Sequence, residues 1–405
     1  MPLPAATASL LAPLFALSLA AQASTDTRDR VVLANGKELR GRVVRVETAQ
    51  VLLRVGSVDK PIARKLVAEL HTVAVAHRDL LRDWQAAAGD DAATLLRLAA
   101  TADEALLPHE ARLFRWLALL QRPDDDDLHA RLGHRRSGDQ WLVPFGERRL
   151  PLATADALSH TFADAWRLRS EHFELRCAAG LRTGLETLLE LEGLYHAFHE
   201  VYGDAVPLRE LVEPIAVHLY HDRDQMPGVS GRVGAYYQFD IATLFTFCER
   251  GRAHGLAHEA VHALLHHTFV RATKGKGQLP SWLDEGWADH LAGRVQQRVP
   301  GKTVLLDASV QPGHRQVLAT TSAAARLGLH RVLNLQTSDF QTSSDQALKY
   351  AQAWALFQFL FEHPDAALRE RFVGYLQEAA AGRGQASTFR KAFRADETGL
   401  ADAFR

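Results

Sequence analysis

The sequence predicts an α+β protein, because the spacing of apolar residues changes three times along the chain. Residues 24–76 alternate apolar and polar side chains, and residues 77–150 follow a helical period that ends in a short hairpin. Residues 151–405 begin with strand-like runs, at 161–250, and continue with helical patterns at 251–405. We therefore expect a large domain, made of a small mixed sheet and a helical half, behind a β-rich module and a helical segment.

Residues 1–23 have the pattern of a signal peptide. An apolar stretch from Ala8 to Ala21 ends in Ala21-Gln22-Ala23, which is the small-x-small pattern of a signal-peptidase site. The stretch is too short for a comfortable membrane span, and no Lys or Arg precedes it. We expect export to the periplasm or the exterior, cleavage after Ala23, and a mature chain without a membrane span.

The β-rich module, 24–76, is predicted from "RVVLANGKELRGRVVRVETAQVLLRV", in which Asn35-Gly36 is a strong hairpin signal. A further strand is expected near Leu66–Val75, so the module is a small β-barrel or a meander. Its role is structural, or it offers a surface to a protein partner.

The helical segment, 77–150, is predicted from apolar residues at helical spacing. It should contain two or three short antiparallel helices, then a helix that ends at Gly133 and a hairpin that turns at Ser137-Gly138. The segment carries no recognisable chemistry.

The sheet part of the large domain, 161–250, contains several candidate strands around one long amphipathic helix. The strands are "EHFELRC", "IAVHLYH", "GAYYQF" and "IATLFTFC", and the helix is "LRTGLETLLELEGLYHAFHEVYG". Cys177 and Cys248 each end one of these strands. In an oxidising compartment the two cysteines either form a disulfide or remain buried thiols, and the sequence leaves both open.

Composition excludes some partners. The chain of 405 residues is 47% apolar and 23% charged, which is ordinary for a globular protein. Its formal net charge of −1 gives no reason to expect nucleic acid or an anionic membrane as a partner.

Histidines recur every four residues at the start of the helical half, at positions 254, 258, 262 and 266. Only His258 and His262 form an H-E-x-x-H motif, with Glu259 after the first histidine. Two imidazoles one helical turn apart can hold one Zn²⁺, and the adjacent glutamate can act as a general base on water. In a chain with 20 histidines the motif arises by chance about one time in twenty. A catalytic zinc also needs a third protein ligand.

The stretch "PSWLDEGWADHLAG" predicts the helix that supplies this ligand. Pro280 and Ser281, followed by Asp284, indicate a helix start with a capping box. Gly286 lies inside the helix, which predicts a close approach to the other helix of the site, the one with the H-E-x-x-H motif.

Two carboxylates of this helix lie one turn apart, at Glu285 and Asp289. Glu285 is the predicted third ligand, and Asp289 is placed to accept the free N–H of a ligating histidine. The prediction is thus one zinc ion per chain, held by His258, His262 and Glu285.

These motifs resemble those of the gluzincin, or peptidase-MA-like, zinc metalloproteases. "HEAVH" followed by "WLDEGWAD" is similar to the H-E-x-x-H and W-L-x-E-G-x-A stretches of the aminopeptidase N-like family and to the E-x-x-x-D of the thermolysin-like family. The chain most resembles a poorly characterised, exported bacterial family of this group, over roughly residues 165–362. The resemblance implies the same ligands, Glu259 as the base, and Asp289 as a brace for a zinc histidine.

The resemblance also implies an electrophile and a substrate-binding strand. The electrophile corresponds to Tyr350 in "LKYAQAWALFQFL", with Tyr236 and Tyr237 as rivals; Tyr350 is otherwise a core residue. The strand corresponds to "GAYYQ", so that Gly234, Ala235, Tyr236 and Tyr237 are expected to bind an extended peptide by β-augmentation. Tyr237 stands where the aminopeptidases have the glutamate that binds a free amine, which disfavours aminopeptidase activity.

The sequence therefore predicts an exported zinc metallopeptidase, preferably an endopeptidase acting on peptide or protein substrates. Two alternatives remain: an aminopeptidase, and a zinc-containing envelope protein that binds partners without cleaving them. The histidines at 254, 266, 267 and 290 are expected to lie at the surface or to support the site indirectly.

Overall fold

The computed structural model describes residues 28–87, 91–211, 213–228, 234–250, 252–253, 255–271, 278–341, 344–394 and 399–400. The predicted signal peptide and its cleavage site lie outside these residues. The described chain is mixed α+β with several sheets, as the sequence predicts.

The N-terminal module is a five-stranded antiparallel sheet with strand order β4-β3-β2-β1-β5. Its strands are Asp29–Leu33 (β1), Glu38–Val46 (β2), Gln50–Val55 (β3), Val58–Ala63 (β4) and Val67–His71 (β5). The predicted hairpin at Asn35-Gly36 joins β1 to β2. Of the two predicted forms, the meander is present and the barrel is not.

The helical segment begins earlier than predicted, at Val73, because the side chain of Thr72 caps the first helix by accepting from the N–H of Val75. Its elements are Val73–Ala86 (α1), Ala92–Glu104 (α2), Pro108–Leu119 (α3), Asp126–Arg131 (α4), Arg135–Ser137 (β6), Gln140–Phe145 (β7), Arg148–Pro151 (β8) and Leu152–Ser159 (α5). The apolar side chains of α1–α3 belong to the same continuous core as the large domain.

The large domain is built on a mixed sheet with strand order β12-β13-β11-β10-β9. Its elements are Trp166–Arg169 (β9), Phe173–Cys177 (β10), Leu181–Tyr202 (α6), Ile215–Tyr220 (β11), Ala235–Gln238 (β12), Thr243–Glu249 (β13) and Arg252–Ala253 (β14). β10, β11 and β13 run parallel, whereas β9 and β12 are antiparallel to their neighbours. This order places β12, the predicted substrate strand, at one edge of the sheet.

The helical half follows, with one unpredicted hairpin. Its elements are Leu256–Leu265 (α7), a π-helical turn His266–Arg271, Ser281–Arg294 (α8), Val295–Val299 (β15), Lys302–Leu305 (β16), Pro312–Thr320 (α9), Leu329–Val332 (α10), Thr337–Gln341 (α11), Gln346–Phe361 (α12), Ala366–Ala380 (α13) and Ala386–Ala392 (α14). The predicted capping box of α8 does not form, because no side chain caps this helix.

Both cysteines are free thiols; Cys177 is buried and Cys248 is half-buried. None of the helices in the described ranges combines the length and the apolar character that a bilayer crossing needs.

Candidate metal centre

The helices α7 and α8 pack against each other and bring the predicted ligands together. On α7 the apolar residues Ala260, Val261 and Leu264 are fully buried, so the helix turns the face with His258 and His262 towards α8. Glu285 lies on the first turns of α8 and meets this face.

Three atoms converge at nearly equal separations: His258 Nε2, His262 Nε2 and Glu285 Oε2. The two nitrogens are 3.0 Å apart, and the carboxylate oxygen lies 3.2 Å from the first and 3.3 Å from the second. Tetrahedral zinc with bonds of about 2.0–2.1 Å separates its ligands by about 3.3 Å. The three atoms therefore already have the spacing of one face of a zinc tetrahedron.

When both imidazoles are neutral, each of the three atoms presents a lone pair to the others. His258 Nδ1 donates to Asp289 Oδ1 at 2.9 Å, which leaves the ring's lone pair on Nε2. His262 Nδ1 lies 3.2 Å from Asp284 Oδ1, an ion-pair distance, but its geometry does not make a hydrogen bond. Glu285 Oε2 is buried without a hydrogen-bond partner among the described residues. Lone pairs at these distances repel one another unless a proton or a metal cation lies between them, and the nearly equal spacing of the three atoms fits a metal ion.

The charges around the centre also favour a cation. Burial lowers the pKa of His258, but the Asp289 carboxylate more than offsets this and the pKa is raised to about 10. Burial raises the pKa of Glu285, yet His262 and His258 hold it at about 2. The carboxylates that surround the two imidazoles are those of Glu259, Asp284, Glu285 and Asp289. Protons and a divalent metal would thus compete for this pocket.

Asp284 and His314 are site residues that the sequence reasoning missed. Asp284, predicted as a cap, instead faces His262. His314, on α9, donates from Nε2 to Asp289 Oδ2 at 2.9 Å. Asp289 therefore contacts His258, as predicted, and a second imidazole as well.

The predicted base lies between the metal centre and the edge strand. Glu259 Oε2 accepts the backbone N–H of Tyr237 at 2.9 Å. Burial raises the pKa of Glu259, while His258 opposes this rise. The carboxylate is thus fixed by β12 beside the two histidines.

Tyr350 lies on α12 beside the centre. Its ring is 6.2 Å from that of His258, between ring centres, and it is half-buried. Burial raises its pKa, and the Glu285 carboxylate raises it further. Gly286 makes this position possible, because a Cβ atom there would lie 2.6 Å from the carbonyl oxygen of Ala353 on α12. The close approach predicted for Gly286 is present, but its partner is α12 and not the H-E-x-x-H helix α7.

The rival tyrosines on β12 are engaged elsewhere. Tyr236 donates to the carbonyl of Pro227 at 2.9 Å and stacks on Phe245. The hydroxyl of Tyr237 is buried against His266 Nδ1 at 2.7 Å. Within β12, Ala235 is half-buried, and Gly234 precedes the strand.

The remaining histidines divide as follows. His254 lies outside the described residues. His266 is bound to Tyr237, and His267 is half-buried in the π-helical turn. His290 was expected near the surface or the site; it is instead buried in the core between Tyr202 and Glu362.

A second group of residue types that bind metals is buried far from the H-E-x-x-H motif in sequence. It comprises His77 on α1, His172 in the β9–β10 turn and Glu192 on α6. His172 Nδ1 lies 2.7 Å from Glu192 Oε2, whereas His77 Nε2 lies 3.8 Å from the same oxygen. The spacing is uneven, unlike that of the first centre.

The model of one protein family, described as a protein of unknown function (DUF1570), matches residues 252–383. This range contains both helices of the metal centre as well as His314 and Tyr350. No curated protein matches the chain.

Proposed function

We propose that this chain is a zinc-dependent metallopeptidase of gluzincin type, with His258, His262 and Glu285 as the zinc ligands. The observation that carries the proposal is the convergence of three ligand atoms, 3.0–3.3 Å apart, directly beside Glu259. Structural zinc sites take four protein ligands, whereas three converge here among the described residues and a carboxylate that can serve as a base stands beside them.

Zinc bound here would polarise a peptide carbonyl and lower the pKa of a water molecule. Glu259 acts as the base: Tyr237 holds its Oε2, and the carboxylate takes a proton from water and returns one to the leaving nitrogen. The hydroxyl of Tyr350 donates to the carbonyl oxygen as negative charge develops there. Asp289 and Asp284 keep the two imidazoles oriented.

The substrate is an extended segment of a peptide or protein, and internal cleavage is the favoured mode. β12 lies at the edge of its sheet beside the base, where a peptide can pair with it. Tyr237 turns its side chain into the core, so the position that would bind a free amine in the aminopeptidases offers no carboxylate. The protein acts on exported or envelope proteins, and its N-terminal β module contacts a protein partner.

The experiment uses the mature chain, residues 24–405, loaded with zinc. It is incubated with a pool of free and N-terminally blocked peptides, and the products are identified by mass spectrometry. Glu259→Gln should keep zinc and lose at least about a thousandfold in rate. Glu174→Gln, at an exposed position on β10, is the matched control.

Internal cleavage of blocked peptides, lost only in Glu259→Gln, would support the endopeptidase. Trimming of the free peptides alone would indicate an aminopeptidase that binds the amine through another group. Absence of cleavage by a folded, zinc-loaded protein would favour a zinc-containing binding or scaffold protein.

A further inference from the structure

We propose that His314 is a positioning residue for the metal centre, acting through Asp289. The inference rests on the proposed function, because it concerns the ligand His258 of the same site. His314 lies 25 residues beyond Asp289 and belongs to no motif in the sequence.

Asp289 is a buried carboxylate with two imidazole donors. Its Oδ1 accepts from His258 Nδ1 and its Oδ2 from His314 Nε2, each at 2.9 Å. The side chain of Asp289 is only 10% exposed, so little water can replace either donor. With both oxygens bonded, the carboxylate has one rotamer, and it holds the proton of His258 on Nδ1.

The segment that carries His314, residues 309–314, packs against α8, the helix that contains Asp289. Ser309 is fully buried and donates its backbone N–H to Glu362, and the side chain of Gln311 donates to the carbonyl of Asp289 at 2.9 Å. Gly293 permits this contact, because a Cβ atom there would lie 2.3 Å from Ser309 Oγ and 3.0 Å from Gln311 Cγ. The strap, residues 309–314, is therefore built to reach Asp289.

Helix α12 fixes the other side of the strap. Trp354 donates to Ser309 Oγ at 3.0 Å, and its ring faces that of His314 with 5.7 Å between ring centres. Trp354 lies one helical turn after Tyr350 on the same helix. The strap thus connects the orientation of His258 with the helix that carries the proposed electrophile.

The test measures zinc affinity, which does not depend on activity. The mature protein competes for zinc with a chelating dye, and unfolding of the metal-free protein is recorded in parallel. His314→Phe keeps a ring against Trp354 but has no donor, and should weaken zinc binding by about tenfold. His314→Gln places an N–H at a similar reach and should stay within about twofold of wild type.

A second comparison shows whether His314 acts through Asp289. In an Asp289→Asn background, His314→Phe should cause little further loss of zinc affinity, because the shared carboxylate is gone. A wild-type affinity in His314→Phe would overturn the inference and leave the proposed zinc site intact. Equal losses in His314→Phe and His314→Gln, matched by equal losses of stability in the metal-free protein, would also overturn it and show a role in packing only. Failure of the wild type to bind zinc would overturn the proposed site itself.

Discussion

Two groups of histidine and glutamate that could hold a metal stand within the described residues, the proposed metal centre and a fully buried group around His77, and they differ in how their atoms converge. At the proposed metal centre, the Nδ1 atoms of His258 and His262 face carboxylates, and three further atoms lie 3.0–3.3 Å from one another. The second group, taken together with Glu110 and His196, is called the His77 cluster (His77, Glu110, His172, Glu192 and His196); its short contacts are pairwise, and one proton fits into each.

The contacts of the His77 cluster form two hydrogen-bonded groups, which are joined by the longer approach of His77 Nε2 to Glu192 Oε2, 3.8 Å. His77 Nε2 lies 3.0 Å from Glu110 Oε1, and His77 Nδ1 lies 2.6 Å from His196 Nε2. His172 Nδ1 lies 2.7 Å from Glu192 Oε2. A protonated His77 satisfies both of its contacts, and no cation other than this proton is needed. The same residue types therefore form the proposed metal centre in one place and an ion network in the other.

The position of the His77 cluster gives it a structural role. It joins α1 and α3 of the helical segment to α6 and the β9–β10 turn of the large domain. Glu171, next to His172, also forms ion pairs with Arg28 and with Arg42 on β2. The cluster thus fastens both N-terminal parts to the domain that carries the metal centre.

The proposed metal centre and the His77 cluster should differ most in how a substitution affects the zinc content of the protein. Glu285→Gln should lose zinc on gel filtration, because the centre loses an anionic ligand that the two imidazoles cannot replace. Glu192→Gln, the same substitution in the His77 cluster, should retain one zinc per chain, as should the wild type. Elemental analysis of the eluted protein measures both.

Two zinc ions in the wild type, with one lost in each variant, would show that the His77 cluster also binds metal. One zinc that survives Glu285→Gln and disappears with Glu192→Gln would reverse the assignment of the two sites.

The second expected difference between the two groups is in their contribution to the free energy of unfolding. Glu110→Gln should lower the free energy of unfolding by about 3 kcal/mol, because it removes the nearer of the two carboxylates that compensate the buried charge of His77. Zinc content should not change. Urea unfolding at a fixed zinc concentration measures the effect, with Glu174→Gln on the exposed side of β10 as the control. A loss below about 1 kcal/mol would mean that His77 is neutral in the folded protein.

The local elements of the metal centre could be predicted because helical geometry fixes them. An i, i+4 spacing brings His258 and His262 to one face whatever the rest of the fold, and the same holds for Glu285 and Asp289. The hairpins at Asn35-Gly36 and Ser137-Gly138 follow from local turn chemistry in the same way.

The missed features depend on partners distant in sequence. In the sequence Asp284 has the position of a residue in a helix cap. Only the fold shows that its carboxylate faces His262 instead of capping the helix. The His77 cluster combines residues from four separate elements, none of which carries a motif. The hairpin of β15 and β16 has a local signal, Pro300-Gly301, but it lies within the region 251–405, where the sequence predicts helices.

The charge on His77 also predicts how stability depends on pH. Burial lowers the pKa of His77, but Glu110 and Glu192 overcome this and raise it to about 9, with Glu171 adding to the rise. Because the folded pKa exceeds the usual 6.5, the stabilisation is complete below about pH 6.5 and is lost as the pH rises through about 9. The loss is at most about 3 kcal/mol. The free energy of unfolding is measured for the wild type and for His77→Gln between about pH 6.5 and 9, at constant zinc, and the difference gives the contribution of the His77 charge. If the free energies of the two proteins change in parallel with pH, the prediction is wrong.

The smallest expected effect is on kcat, and it distinguishes a site that acts on substrate from the His77 cluster, which only stabilises the fold. Tyr350→Phe should lower kcat by about 100-fold, equivalent to about 2.7 kcal/mol, with KM unchanged, because its hydroxyl acts only as charge develops on the carbonyl oxygen. Zinc content and the urea midpoint should match the wild type, since the ring still packs on Phe340. No substitution in the His77 cluster can give this combination. If kcat is unchanged while stability falls, Tyr350 is a core residue, and the oxyanion must be stabilised by zinc and another donor.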